Sequence, residues 1–386
     1  IETMNDGAQI LNYDTTISQL NLDSIYEVAD TTILTFYTLP FTSTIPNNFP
    51  FNLPTNNIAL GVGNVQLKQA IIFYGKIRLE IKNTLKSKIN FIYTIPQAIK
   101  NGLPFSVTAS VDSASIANPK YFTGEYDFSG YDVNMTGASG NLFNTLSYTV
   151  EARTDPNGVP FPVNANDTIV NLKTTLIDIQ PYFVRGYLGQ AETHEINREN
   201  IGIGGLIKNG TVELDSVKFN LDIINYIGAD EQAYISYFQS QNNRTGNTVG
   251  LIAPSFLQRY LNINRASLNP ALTDSLVPSL YSIQLDNSNS NIRDLIENLP
   301  DKFNFDLKLN LNPLGPISGG NDFVFRDRLI STHLQIRMPL RFALNQLLLA
   351  DTVPFTIANA TNFDPVGPTT LTLLADNGFP FDLNVQ

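Results

Sequence analysis

The stretch KIRLEIKNTLKSKINFIYTIPQAIKNGLPF, Lys76 to Phe105, decides the fold class of this 386-residue chain. Ile77, Leu79 and Ile81 alternate with Lys76, Arg78, Glu80 and Lys82, so one face of an extended segment is apolar and the other charged. A period of two marks a half-buried β-strand. The alternation stops at Asn83, a residue type whose side chain can bond its own backbone and turn the chain. A second run then leads to Asn101-Gly102, a pair that supplies the two positive-φ residues of a tight hairpin, and Pro104-Phe105 launches another strand.

Both devices recur. In KFNLDIIN, Phe219, Leu221 and Ile223 lead to Asn225; in TLTLLADN, Leu371, Leu373 and Ala375 lead to Asn377; FDLKLNLNP, ending at Asn312-Pro313, repeats the idea one residue out of phase. The Asn-Gly-x-Pro-Phe phrase returns at Asn157–Phe161 and Asn377–Phe381 and predicts a hairpin each time. Helices are scarce. SNIRDLIENLP has Ser290 as N-cap, Ile292, Leu295, Ile296 and Leu299 on one face and Pro300 as a stop, and APSFLQRYL, 253–261, is a weaker candidate.

The pattern predicts a mainly β protein of tandem antiparallel β-sandwich-like units with one or two short helices. The expected divisions are an N-terminal β segment over 1–60, a first unit over 61–190, a polar, Gly-rich linker over 191–205, a second unit over 206–355 with a short helix at 290–299, and the opening of a third at 356–386. That third unit looks cut short, and a longer natural chain is expected.

Composition narrows the function. Charged residues are 15% of the chain, against about 25% in an average domain, and Asn, Thr, Ser and Gln carry the polar share, which suits the outward strand faces of an exported β protein. A net charge of −11 argues against a nucleic-acid partner, which needs clustered Lys and Arg. Without cysteine there is no disulfide, thiolate metal site or Cys nucleophile. The chain opens at Ile1 rather than Met, so a processed start is expected, with any signal peptide or lipid-bearing Cys upstream.

The strand, Asn, turn and strand of KIRLEIKNTLKSKINFIYTIP is similar to the small β-sandwich of the late-embryogenesis-abundant and water-stress type. NSNSNIRDLIENLPDKFNFDLKLNLNP (Asn287–Pro313) and IRMPLRFALNQLLLADTVPF (Ile336–Phe355) resemble exported proteins and lipoproteins of the Bacteroidota that carry such repeats. The resemblance brings no catalytic residues. It implies a location in the periplasm or at the cell surface, an N-terminal lipid anchor in the outer membrane, and partners among other envelope proteins or an outer-membrane complex. Every Asp-Ser or Asp-Thr pair is followed by Ala, Ile, Leu, Val or Thr, which resembles the O-glycosylation acceptor of exported Bacteroidota proteins. The candidate hydroxyls are Thr15, Ser24, Thr31, Ser113, Thr168, Ser216, Ser275 and Thr352; an Asp-Ser/Thr turn before a β-branched residue is also how a strand begins.

Searches for chemistry fail position by position. His194-Glu195 begins like a zinc-protease helix, but Arg198 stands where the second His belongs. His333 falls at an outward strand phase, and both histidines read as solvated side chains. GIGGLI at Gly202 lacks the third glycine of a dinucleotide fingerprint, and Ser318 in GPISGG forms no nucleophile elbow. No cofactor is expected, and the chain reads as non-enzymatic.

The one charge anomaly is basic. From Lys68 to Lys100 there are seven Lys or Arg and a single acid, Glu80. Lys76, Arg78 and Lys82 share a strand face, with Lys86 and Lys88 on the turn beyond. The face reads either as a solvated, aggregation-resistant sheet edge or as a docking surface for an anionic partner, lipid headgroup or glycan. The functional expectation is an envelope accessory protein that supplies binding surface to a larger assembly. A lipid carrier lined by Ile292, Leu295, Ile296 and Leu299, or a self-assembling fimbrial or capsid subunit, are the alternatives.

Overall fold

A computed structural model describes residues 2–3, 9–19, 29–51, 53–200, 207–268, 276–339 and 342–349. Its main strands up to residue 190 are β1 (Gln9–Gln19), β2 (Thr31–Thr38), β3 (Gln66–Asn83), β4 (Ile89–Lys100), β5 (Leu103–Val111), β6 (Lys120–Asp127), β7 (Asp132–Asn134), β8 (Thr145–Thr154) and β9 (Thr168–Tyr187). Then follow β10 (Ala191–Asn200), β11 (Lys218–Asn225), β12 (Glu231–Gln241), β13 (Tyr260–Ile263), β14 (Ser279–Leu285), α1 (Ile292–Glu297), β15 (Lys302–Leu311), β16 (Asp322–Phe325) and β17 (Ile330–Pro339). Shorter strands are named by their residues. The fold is mainly β, built from antiparallel sheets, with one short helix among the described residues.

In the first unit β6-β3-β9-β2 form one layer. A second layer is β5-β4-β8, extended by Pro50–Phe51 and Asn56–Ala59 on β8. The short β7 pairs with both β3 and β4 and joins the two layers. The alternation places Ile77, Leu79 and Ile81 in the core with Phe91, Tyr93 and Ile95 of β4. The Tyr148 hydroxyl on β8 reaches Thr35 on β2, so the layers meet through side chains.

The second unit stacks β1-β17-β11-β14 on β10-β15-β12-β13. Phe219 of β11 meets Phe238 of β12 edge-on at 5.8 Å, and Leu334 and Ile336 of β17 complete that face. Helix α1 is shorter than expected, but its apolar face is as read: Ile292, Leu295, Ile296 and Leu299 are all buried. Asn291 is the N-cap, while the Ser290 hydroxyl accepts a bond from the Ile292 N–H at 3.3 Å. The second candidate helix is absent: Pro254–Gln258 form turns, and Tyr260 opens β13.

Several segments take places that local pattern did not suggest. Residues 191–200, read as linker, form β10 along the whole of β15. The N-terminal segment is divided, β1 joining the second unit and β2 the first. The Gly-rich loop before β16 leads back to the first unit, where β16 pairs with the far end of β9. A strand needs a partner for its backbone groups and a core for one face, and both can lie far along the chain. The expected third unit, with Asn377, lies outside the described residues.

The strand-ending asparagines do the same work in both units. Asn83 is 1% exposed and Asn225 is fully buried. Each side-chain oxygen accepts the N–H two residues on, Leu85 at 2.9 Å and Ile227 at 2.7 Å. Each amide donates to a carbonyl distant in sequence, Asn83 to Asp112 at 2.8 Å and Asn225 to Asn264 at 2.9 Å, and Asn83 also to the nearby Ser87 carbonyl at 2.8 Å. Asn312, the out-of-phase member, is buried too and takes the left-handed conformation with φ 47°.

Candidate functional site

The basic strand β3 is not a sheet edge, because β6 and β9 flank it. Antiparallel pairing sets side chains directly opposite one another on the same face. Arg78 therefore faces Glu125 of β6, and its guanidinium bonds that carboxylate, through Nε at 2.8 Å and Nη2 at 2.5 Å. Lys76 lies 3.8 Å from the same carboxylate, and Lys173 of β9 pairs with Glu80 at 2.7 Å. The Arg78 guanidinium holds the Glu125 carboxyl below the ordinary carboxylate range. Lys76 and Arg78 of the basic stripe thus share one carboxylate, and Glu80, its single acid, is taken by Lys173.

Lys82 sits differently. Its row across the layer runs Phe36 on β2, Asn171 on β9, Lys82 on β3 and Tyr121 on β6. Phe36 and Tyr121 are 56% and 67% exposed. Leu34, one outward step along β2, is also exposed, opposite Lys173. With strands about 4.8 Å apart, the two rings stand about 14 Å from each other on a ledge floored by an amide and an ammonium. Lys86 is exposed on the turn after β3, and Lys88 is half-buried at its end. The ledge needed tertiary pairing to appear, since its four residues come from four strands.

Both histidines are partly solvated, as read, and each also lies beside a carboxylate. His194 Nε2 lies 2.6 Å from Asp306 Oδ1, and His333 Nε2 lies 2.6 Å from Asp14 Oδ1. Ser236 donates to the other Asp306 oxygen at 2.6 Å, and that hydroxyl with His194 holds the carboxyl below its ordinary range. The carboxylate, not the imidazole, is central, so this cluster lacks the serine-to-imidazole bond through which a catalytic triad activates its nucleophile. Residue 194 lies on a strand, not on a zinc-protease helix. Ser318 accepts N–H bonds from Gly320 and Asn321 at 3.2 and 3.3 Å, a turn-building role.

A polar cluster ties the units together. Asp322, fully buried, accepts from Arg265 Nη2 at 2.7 Å, Asn312 Nδ2 at 2.8 Å and the Leu188 N–H at 3.1 Å. Glu231 of β12 is 4% exposed with both carboxylate oxygens unpartnered, and burial, with Asp230 adjacent, pushes its carboxyl well above the ordinary range.

The glycosylation candidates are dispersed. Ser113 is exposed in the loop after β5, whereas Thr15, Thr31, Thr168 and Ser216 are half-buried. Ser24, Ser275 and Thr352 lie outside the described residues. Among the described residues no group of three or more His, Cys, Asp or Glu side chains is arranged to hold a metal ion, and no helix is long and apolar enough to cross a membrane.

No family model and no curated protein matches the chain. Among solved structures, a peptide-N(4)-(N-acetyl-β-D-glucosaminyl)asparagine amidase aligns at 10% identity over 83% of this chain and all of its own, with a TM-score of 0.15. Broad bean stain virus aligns at 8% identity over 85% of this chain and 92% of the viral one, with a TM-score of 0.16. Superpositions this loose carry no functional argument, so the chain's own surface is what remains to be read.

Proposed function

We propose that the chain is a non-enzymatic envelope accessory protein, exported and lipid-anchored at the outer membrane, which supplies binding surface to a larger assembly of envelope proteins. One observation carries this reading: the exposed ledge of Phe36, Asn171, Lys82 and Tyr121. Aromatic rings bury large area at low entropic cost, and they anchor interfaces when a polar rim surrounds them. The Arg78–Glu125 and Lys173–Glu80 pairs form part of such a rim beside Lys82. O-glycosylation at the Asp-Ser/Thr turns belongs to the same reading, with Ser113 as its exposed acceptor.

The lipid-carrier alternative is disfavoured by the burial of its candidate lining residues Ile292, Leu295, Ile296 and Leu299 in the core. Two apolar voids among the described residues, one in each unit, measure about 30 and 20 Å³, against the several hundred a ligand pocket needs. The test is native purification with intact-complex mass spectrometry of the parent and of a Phe36→Ser/Lys82→Glu/Tyr121→Ser variant. Co-purified envelope proteins that the triple variant loses support the assembly. Bound lipid, or a ladder of self-multimers unaffected by the variant, would replace it with the carrier or the fibre.

A further inference from the structure

At the opposite end of β3 from the ledge the layers part, and a hollow of about 350 Å³ opens where β7 joins β3 and β4. Its walls are Lys68, Gln69, Gln97, Asp132, Asn134 and Arg185, and Ile99 offers an apolar patch. A bulge builds it. Gln69 pairs with Arg185 and Leu67 with Gly186, which leaves Lys68 as the extra residue. A bulge breaks strict alternation and brings consecutive side chains toward one side. Gly186 makes the close pairing possible, because a Cβ there would lie 2.1 Å from the Gln66 carbonyl oxygen.

The hydrogen-bond inventory says what the hollow lacks. Gln97 is committed at both ends, donating to the Gly137 carbonyl at 2.6 Å and accepting from Ser147 at 2.9 Å. Gln69 spends its amide on Asp132 Oδ1 at 2.8 Å, and Asn134 spends its carbonyl on the Thr136 N–H and hydroxyl. Lys68 gives one proton to the Gly319 carbonyl at 3.0 Å. Arg185 gives none: its side chain has no hydrogen bond or ion pair among the described residues, and its Nε is shielded from solvent without an acceptor. Unspent are a guanidinium, ammonium protons and the Asn134 amide as donors, with Asp132 Oδ2 and the Gln69 carbonyl as acceptors.

That pattern asks for a ligand with one anionic group and several hydroxyls. A guanidinium is a planar fork that matches a carboxylate in two parallel bonds. Asp132 opposes a purely anionic guest but accepts from hydroxyls, and Ile99 suits a patch of C–H groups. We infer that the hollow binds a carboxylated sugar, a hexuronate unit of an acidic glycan, with its carboxylate on Arg185 and Lys68 and its hydroxyls on Asp132, Gln69 and Asn134. This site stands apart from the protein-binding ledge, and either can fail without the other.

The test is calorimetric titration of the full chain with D-glucuronate, D-glucose, acetate and inorganic phosphate, and with an oligomeric uronate to separate free sugar acid from glycan. Expected are saturable millimolar binding of glucuronate, tighter binding of the oligomer, and affinity lower by about tenfold or more for glucose, as loss of a charge-assisted bond implies. Arg185→Gln should lose glucuronate to the same extent, with its thermal midpoint preserved. Should that variant fail to fold, the parent's side-chain amide resonances of Gln69 and Asn134 must shift on adding glucuronate. Glucose or phosphate binding as well as glucuronate, a folded Arg185→Gln that binds like the parent, saturation without those amide shifts, or no saturation at all would overturn the inference.

Discussion

The phrase Asn-Gly-x-Pro-Phe is spelled twice within the described residues and folds in two ways. At Asn101-Gly102 both residues have positive φ, 53° and 79°, and Lys100 pairs with Leu103, a two-residue hairpin between β4 and β5. At Asn157-Gly158 neither residue is left-handed. There the turn belongs to Asp155, whose carbonyl accepts the Gly158 N–H at 3.1 Å and whose side chain accepts the Asn157 N–H at 2.9 Å. The strand that follows, Phe161–Val163, leaves β8 and pairs with Ser43–Ile45. The second hairpin was therefore misread, since Asn-Gly permits the tight turn and only an available neighbouring strand makes it form.

The strand-ending asparagines give the opposite lesson and the largest expected effect. Because Asn83 and Asn225 fill equivalent buried roles, Asn83→Ala and Asn225→Ala should each cost about 2 to 3 kcal/mol, as buried N–H and C=O groups lose their partners. Urea unfolding checks this; a large loss in one unit and none in the other would end the equivalence.

Next come the glycines. Gly102→Val forces a β-branched residue to positive φ and should cost about 2 kcal/mol. Gly158→Val meets Asp155 at 3.2 to 3.3 Å and the Ser87 hydroxyl at 3.7 Å, and should cost less than about 1 kcal/mol. Equal shifts in thermal midpoint would erase the contrast between the two turns.

A third contrast sets the units apart by pH. Glu231 of the second unit keeps its proton to higher pH folded than unfolded. The unfolded chain releases its proton first, so stability should fall as pH rises from the ordinary carboxyl value, about 4.3, to the raised folded one, and level off above. Glu231→Gln should flatten that slope, measured by unfolding across the acid range. A slope unchanged in the variant would assign it to other carboxyls.

The smallest effect is expected on the first unit's outer face. Arg78 and Glu125 are exposed partners, so Arg78→Gln should leave the thermal midpoint nearly unchanged and lower it no further at low salt than at high. A salt-dependent loss would show that the charge ladder holds the layer together.

The candidate sites were legible in part. The face of Lys76, Arg78 and Lys82 followed from alternation, but the Glu125 carboxylate that Lys76 and Arg78 share, and the pairing of Glu80 with Lys173, did not, because Glu125 and Lys173 lie far away in sequence. Phe36 and Tyr121 gave no local signal of standing beside Lys82. The hollow left one: Gly186, a lone glycine inside the apolar run of β9, is what a bulge needs.

The sequence by itself determined the strands and their inward faces, because a period of two is a property of the extended backbone. It also determined the buried asparagines that end strands, because the bond each side-chain oxygen accepts comes from only two residues along the chain, and the apolar face of α1, which follows from helical spacing. Tertiary structure alone decided which strands are neighbours, and with that the path of β10 along β15, the division of the N-terminal segment and the assembly of ledge and hollow. Pairing obeys backbone hydrogen bonding and shared burial, which many partners can satisfy locally, and only the whole fold selects among them.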